Sequence, residues 1–103
     1  MYTIEFSFAK HGEIRYISHL DLMRLFMRAM RRAELDLKLS EGFSPHPKLS
    51  IKRALKVGAE SDHEEAAIVL NTPLEAKDFV DRLQRQLPQG ITVKGASVRP
   101  IRS

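Results

Sequence analysis

Arg24, Arg28, Arg31 and Arg32 recur at intervals of three and four residues, the spacing that gathers side chains on one face of a helix. A planar guanidinium meets phosphate or carboxylate through two parallel hydrogen bonds, so a row of them suits an anion. Arg15 and Lys48 extend this basic set at either end. The same stretch holds His19, His46 and Tyr16. Brought together, these could serve as general acid and base in a metal-independent cleavage of RNA. Other chemistries lack their residues. There is no cysteine, no Walker loop, no GxGxxG and no nucleophile–base arrangement, and His11, His19, His46 and His63 show neither HxH nor HExxH spacing. No metal and no cofactor are expected.

A helix must position the arginines, and its start is marked. Ser18 followed by Asp21 resembles a capping box, with the carboxylate in the positively polarised first turn. The helix is expected from about His19 to Ala33. At 100° per residue, His19, Leu22, Met23, Phe26, Ala29, Met30 and Ala33 share one side, while Asp21 and the four arginines share the other. A pairing of Asp21 with Arg24 relieves part of the repulsion. A solvated face, an anion-binding face and the face of a protein-interaction domain that meets an acidic partner surface all fit this pattern. His19 reads as a hydrogen-bonded core histidine, with the His46 loop a candidate partner, and His46 is the ring that reaches a ligand.

The loop from Ser40 to Lys48 is stiffened by Pro45 and Pro47 around His46; Gly42 is free to take a φ that other residues avoid, and Phe43 is expected to anchor the loop by burial. Around this unit, alternation marks strands. Tyr2, Ile4, Phe6 and Phe8 give the first, followed by a turn at His11 and Gly12 and a short return segment over Ile14 to Ile17. Leu35 to Leu39 reads as an extended segment, Leu49 to Leu55 as a strand, residues 59 to 63 as a polar turn, and Ala66 to Leu70 as a central strand covered at least partly on both faces. Thr72 as N-cap, Pro73 at the first position and Glu75 at the third announce a second helix, which presents Ala76, Phe79, Val80, Leu83 and Leu87 and stops near Pro88. The last strand, Ile91 to Val98, carries Gly95 as a bulge marker; residues 99 to 103 read as an exit segment. This order implies an α+β, ferredoxin-like split βαβ fold: a four-stranded antiparallel sheet with two helices on one face and the other face partly apolar.

At 103 residues the chain is expected to be one domain over 1–103. The absence of cysteine suits the reducing cytoplasm, and no apolar run approaches the roughly 20 residues of a spanning helix, so no membrane partner is expected. Charge is uneven: residues 1 to 56 hold 11 Lys and Arg against 6 Asp and Glu, whereas residues 57 to 103 hold 6 against 7. A +5 half beside a −1 half favours an anionic partner on the first half, nucleic acid being the commonest. An RNA-recognition motif is not expected, since the RNP1 string is missing. Nothing in the sequence sets the oligomeric state.

The string RYISHLDLMRLFMRAMRRAELDLKLSEGFSPHPKLSI, with Gly58 downstream, resembles the radical-SAM-linked protein family, a bacterial domain of unknown function. The resemblance spans most of the chain and includes Arg15, Ser18, His19, Asp21, the four arginines, Gly42, Phe43, Pro45, His46 and Pro47. It implies an accessory domain in RNA modification or processing, found beside or fused to a radical SAM protein as its partner. It also implies a longer chain, of which this would be the N-terminal portion. Ser44 departs from the pattern, standing where the family tends to have Asn.

Overall fold

The computed structural model describes residues 1–54 and 56–101. Strand β1 (Tyr2–Lys10) is followed by a 3-10 helix (Gly12–Tyr16), helix α1 (His19–Arg32), strand β2 (Leu49–Ile51), strand β3 (Ser61–Leu70), helix α2 (Ala76–Gln84) and strand β4 (Ile91–Pro100). The sheet order is β2-β3-β1-β4 with every pairing antiparallel. This is the split βαβ arrangement, an α+β fold with two helices over a four-stranded sheet.

The core follows from alternation. Ile4, Phe6 and Phe8 of β1, Ala66, Ile68 and Leu70 of β3, and Ile91 and Val93 of β4 are buried beneath Leu22, Phe26, Ala29 and Met30 of α1 and Phe79 and Leu83 of α2. Phe6 faces Ala66 on one side and Ala96 on the other. Those small neighbours leave lateral room for the Phe26 and Phe79 rings, whose centroids lie 5.7 and 5.4 Å from that of Phe6. Both helices therefore pack on the same face. The open face carries Glu5, Ser7 and Ser97 with half-buried Ala67 and Val69, so β3 is central and only partly covered there. In β4, Ser7 pairs with Gly95 and Phe8 with Val93, so Lys94 is the extra residue of a bulge beside the glycine that signals it.

The last strand runs on through Arg99 and Pro100, which pair with Thr3 and Tyr2 where an exit segment is expected, and four further expectations change. The return segment is a 3-10 helix, because the Arg15 carbonyl turns inward to accept from Gly58 N at 2.7 Å and from Lys10 Nζ at 3.2 Å. Strand β2 ends at Ile51 instead of running to Leu55, which lies outside the described residues along with Arg102 and Ser103. Strand β3 begins at Ser61, inside the expected polar turn, since Ser61 pairs with Lys10. Helix α2 starts at Ala76 with Glu75 as N-cap and no side-chain cap bond. Asn71 is tied to Asp36 and Leu37, and Leu74 packs against the core, so residues 72–74 carry the chain from β3 to the helix and the N-cap falls on Glu75.

Helix α1 ends in a Schellman motif. Leu35 N donates to Met30 O at 3.2 Å and Glu34 N to Arg31 O at 3.0 Å, while Leu35 and Met30 are both buried. The left-handed position is filled by Glu34 at φ +58°, where glycine carries no Cβ penalty. Glu34→Gly is expected to raise the unfolding free energy by about 1 kcal/mol, read by urea denaturation, the relief of strain outweighing the added freedom of the unfolded chain. A loss of stability would show that the Glu34 side chain contributes more than its backbone costs.

Candidate functional site

Helix α1 presents the arginines as its amphipathic pattern requires. Ser18 Oγ accepts from Asp21 N at 3.1 Å, which caps the helix. At the other end Arg82 of α2 donates to the Ala33 carbonyl through Nε at 3.1 Å and Nη2 at 2.6 Å, and to the Glu34 carbonyl at 2.9 Å. The two helices are thereby locked together at their C-terminal ends, where the final carbonyls need donors.

Arg24, Arg28, Arg31 and Arg32 are all exposed. The expected pairing of Asp21 with Arg24 is present at 3.6 Å. Among the described residues no carboxylate lies within ion-pair distance of Arg28, Arg31 or Arg32. The stripe is divided by its surroundings. Arg28 and Arg32, one turn apart, line a concavity of about 400 Å³ together with Arg85, the C-cap of α2, and with Leu25, Leu87 and Pro88. Arg24, Arg31, Arg15 and Lys48 do not line it. Arg15 lies over the Tyr16 ring, 4.4 Å from its centroid, and donates to Tyr16 Oη at 2.6 Å and to the Gly12 carbonyl at 2.8 Å. Lys48 is exposed on the segment entering β2.

The three rings proposed for proton transfer are not joined. His46 Nδ1 lies 3.0 Å from the Ser44 carbonyl and 3.1 Å from Ser40 Oγ. A carbonyl only accepts, so the contact with Ser44 needs the hydrogen on Nδ1. Tyr16 is engaged by Arg15, and the buried Nδ1 of half-buried His19 has no hydrogen-bond partner among the described residues. The expectation of a hydrogen-bonded His19 is thus corrected, since the His46 ring spends its bonds inside its own loop. Phe43 is corrected as well. It is fully exposed, because burial of Pro47, its bridge to Leu39, and the bonds Ser40 N to His46 O at 2.8 Å and His46 N to Ser40 Oγ at 3.1 Å already close the loop. Gly42 takes φ +121°, as its place in the loop suggests.

A second polar cluster lies under the 3-10 helix. Glu64 is buried and accepts from Arg53 Nε at 2.9 Å and Nη2 at 2.7 Å and from Ser61 Oγ. Hydrogen bonding by Arg53, helped by Ser61, holds its carboxyl below the ordinary value against the opposing effect of burial. Lys10 is buried too, and desolvation lowers its ammonium pKa despite the attraction of Glu64. Neither residue stands out as a site in the motif. Their positions hold the signal: Lys10 continues the alternation of Ile4, Phe6 and Phe8, and Glu64 that of Ala66, Ile68 and Leu70. Arg85 sits outside every motif, and only packing of α2 beside α1 reveals it.

A larger concavity of about 570 Å³ lies on the open sheet face between Glu5, Ser50, Lys52, Glu65 and Ser97. Its charges are already paired, Lys52 with Glu65 at 2.9 Å and Glu5 with Arg99. It thus has less free charge to offer an ion than the smaller hollow between the helices. Among the described residues no cluster of three or more His, Asp or Glu side chains converges as a metal site, and no helix is long and apolar enough to cross a membrane.

A family model described as an uncharacterized protein conserved in bacteria (DUF2344) matches residues 3–102. No curated protein matches the chain. The match runs from β1 to beyond β4 and takes in both helices, the arginine row and the His46 loop, and the chain accordingly belongs to this family of conserved bacterial proteins.

Proposed function

We propose that this protein is a non-catalytic module that binds single-stranded RNA and presents it to a radical SAM protein. The observation that carries the reading is the exposed row on α1, four arginines with one carboxylate between them. Like charges at i,i+4 destabilise a helix by roughly 0.2–0.5 kcal/mol per pair, a cost that a bound polyanion converts into attraction. Arg15 stacked on Tyr16 and the exposed Phe43 add flat surfaces suited to unpaired bases. The radical SAM partner rests on the sequence resemblance. The cluster chemistry would belong to that partner, for this chain has no cysteine with which to hold iron.

If Arg15, Arg24, Arg28, Arg31, Arg32 and Lys48 all meet phosphates, the affinity for a single-stranded oligoribonucleotide falls with salt along a log-log slope near −4, roughly −0.7 for each contact. Fluorescence anisotropy from low to physiological salt measures it. Salt-independent binding, or none at low salt, overturns the reading.

A further inference from the structure

We propose that the hollow formed by Arg28, Arg32 and Arg85 holds a terminal phosphate of the bound RNA, a phosphomonoester as distinct from an internal phosphodiester. This rests on the RNA-binding reading and narrows it. Arg28 and Arg32 come from the last two turns of α1, and Arg85 is the C-cap of α2, so two elements bring three arginines to the lining of one concavity of about 400 Å³. None of the three has a carboxylate within ion-pair distance among the described residues.

Charge selects the ligand. Arg82 already meets the last carbonyls of α1, and the end of α2 carries about half a negative elementary charge, so most of the three positive charges remain. That is enough for a fully ionised phosphomonoester, with a charge of about two, and exceeds the single charge of an internal phosphodiester. Leu25, Leu87 and Pro88 add apolar lining beside the three arginines, a surface against which a terminal sugar can rest. The arginines outside the hollow, Arg24 and Arg31, are left for the phosphates that follow.

The test compares one oligoribonucleotide in three forms, with a 5′-phosphate, a 3′-phosphate or hydroxyls at both ends, by anisotropy at constant salt. One phosphorylated form is expected to bind at least about tenfold more tightly than the hydroxyl form at pH 7.5, consistent with charge-assisted hydrogen bonds to guanidinium. The advantage shrinks at pH 5, below the second phosphate pKa of about 6. In Arg85→Gln the ratio of the two affinities falls toward one, and Arg28→Gln repeats the result if the first variant folds poorly by circular dichroism. Equal binding of all three forms, or a preference that survives in a folded Arg85→Gln or Arg28→Gln variant, overturns the terminal-phosphate site and leaves RNA binding standing. Failure of every form to bind overturns both.

Discussion

Phe26→Ala is expected to lower the unfolding free energy by about 3–5 kcal/mol, measured by urea denaturation with intact protein as reference. Phe26 is wholly buried, and its ring stands edge-on to Phe6 and Phe8 at centroid distances of 5.7 and 4.9 Å. Truncation removes the transfer free energy of the ring, leaves a cavity between helix and sheet, and forfeits two aromatic pairs. Domains of this size hold about 5–15 kcal/mol in all, so the loss is a large share of the total. Because Phe26 lies on the opposite side of α1 from the arginines, the same change disturbs their presentation. Phe26→Leu, which keeps most of the volume, is expected to cost less than half as much. Equal losses for the two would mean that ring geometry, not buried volume, sets the energy.

Glu64→Gln is expected to cost about 3 kcal/mol, since it leaves the Lys10 ammonium buried without its nearby negative charge. Lys10 would keep only its bond to the Arg15 carbonyl at 3.2 Å. Adding Lys10→Met removes that stranded charge, and an unbranched apolar chain can follow the same path. The double variant should therefore recover at least about 1 kcal/mol, a coupling that a double-mutant cycle measures directly. Additive losses would show that the two groups do not act as a pair. The pH dependence follows from the same residues. Glu64 sits below its ordinary value of 4.5, so its stabilisation is complete above that pH and is lost as pH falls through the folded value. Glu60, held down chiefly by Gly12 N, and Glu65, by Lys52, act in the same direction. Lys10 works at the other end: with a folded pKa below 10.5, stability rises as pH climbs from the folded value toward 10.5. Lys10→Met should flatten the alkaline limb and leave the acid limb set by Glu60, Glu64 and Glu65.

Local chemistry made much of this legible. The Ser18 cap, the division of α1 into two faces, the bulge at Gly95 and the positive φ of Gly42 each depend on a few neighbouring residues, and each stands where the pattern puts it. What escaped depends on contacts between distant segments. Glu75 caps α2 because Asn71 is held by Asp36, thirty-five positions earlier. Phe43 stays outside because Ser40 and His46 close the loop without it. Arg82, Arg85, Lys10 and Glu64 gain their roles only when helix meets helix and strand meets strand. The tethers within the His46 loop likewise occupy its Nδ1, so the loop that the sequence offers as a candidate partner does not bond the buried Nδ1 of His19.

RNA is proposed to meet the protein on the arginine face of α1. Titrating isotope-labelled protein with a short single-stranded oligoribonucleotide and following backbone amide shifts tests it most directly, because the position of the contact is read residue by residue. The largest shifts are expected along Arg24 to Arg32 and at residues 85 to 88, with smaller ones around Arg15 and Tyr16. Shifts confined to Glu5, Glu65 and Ser97 on the open sheet face would contradict it.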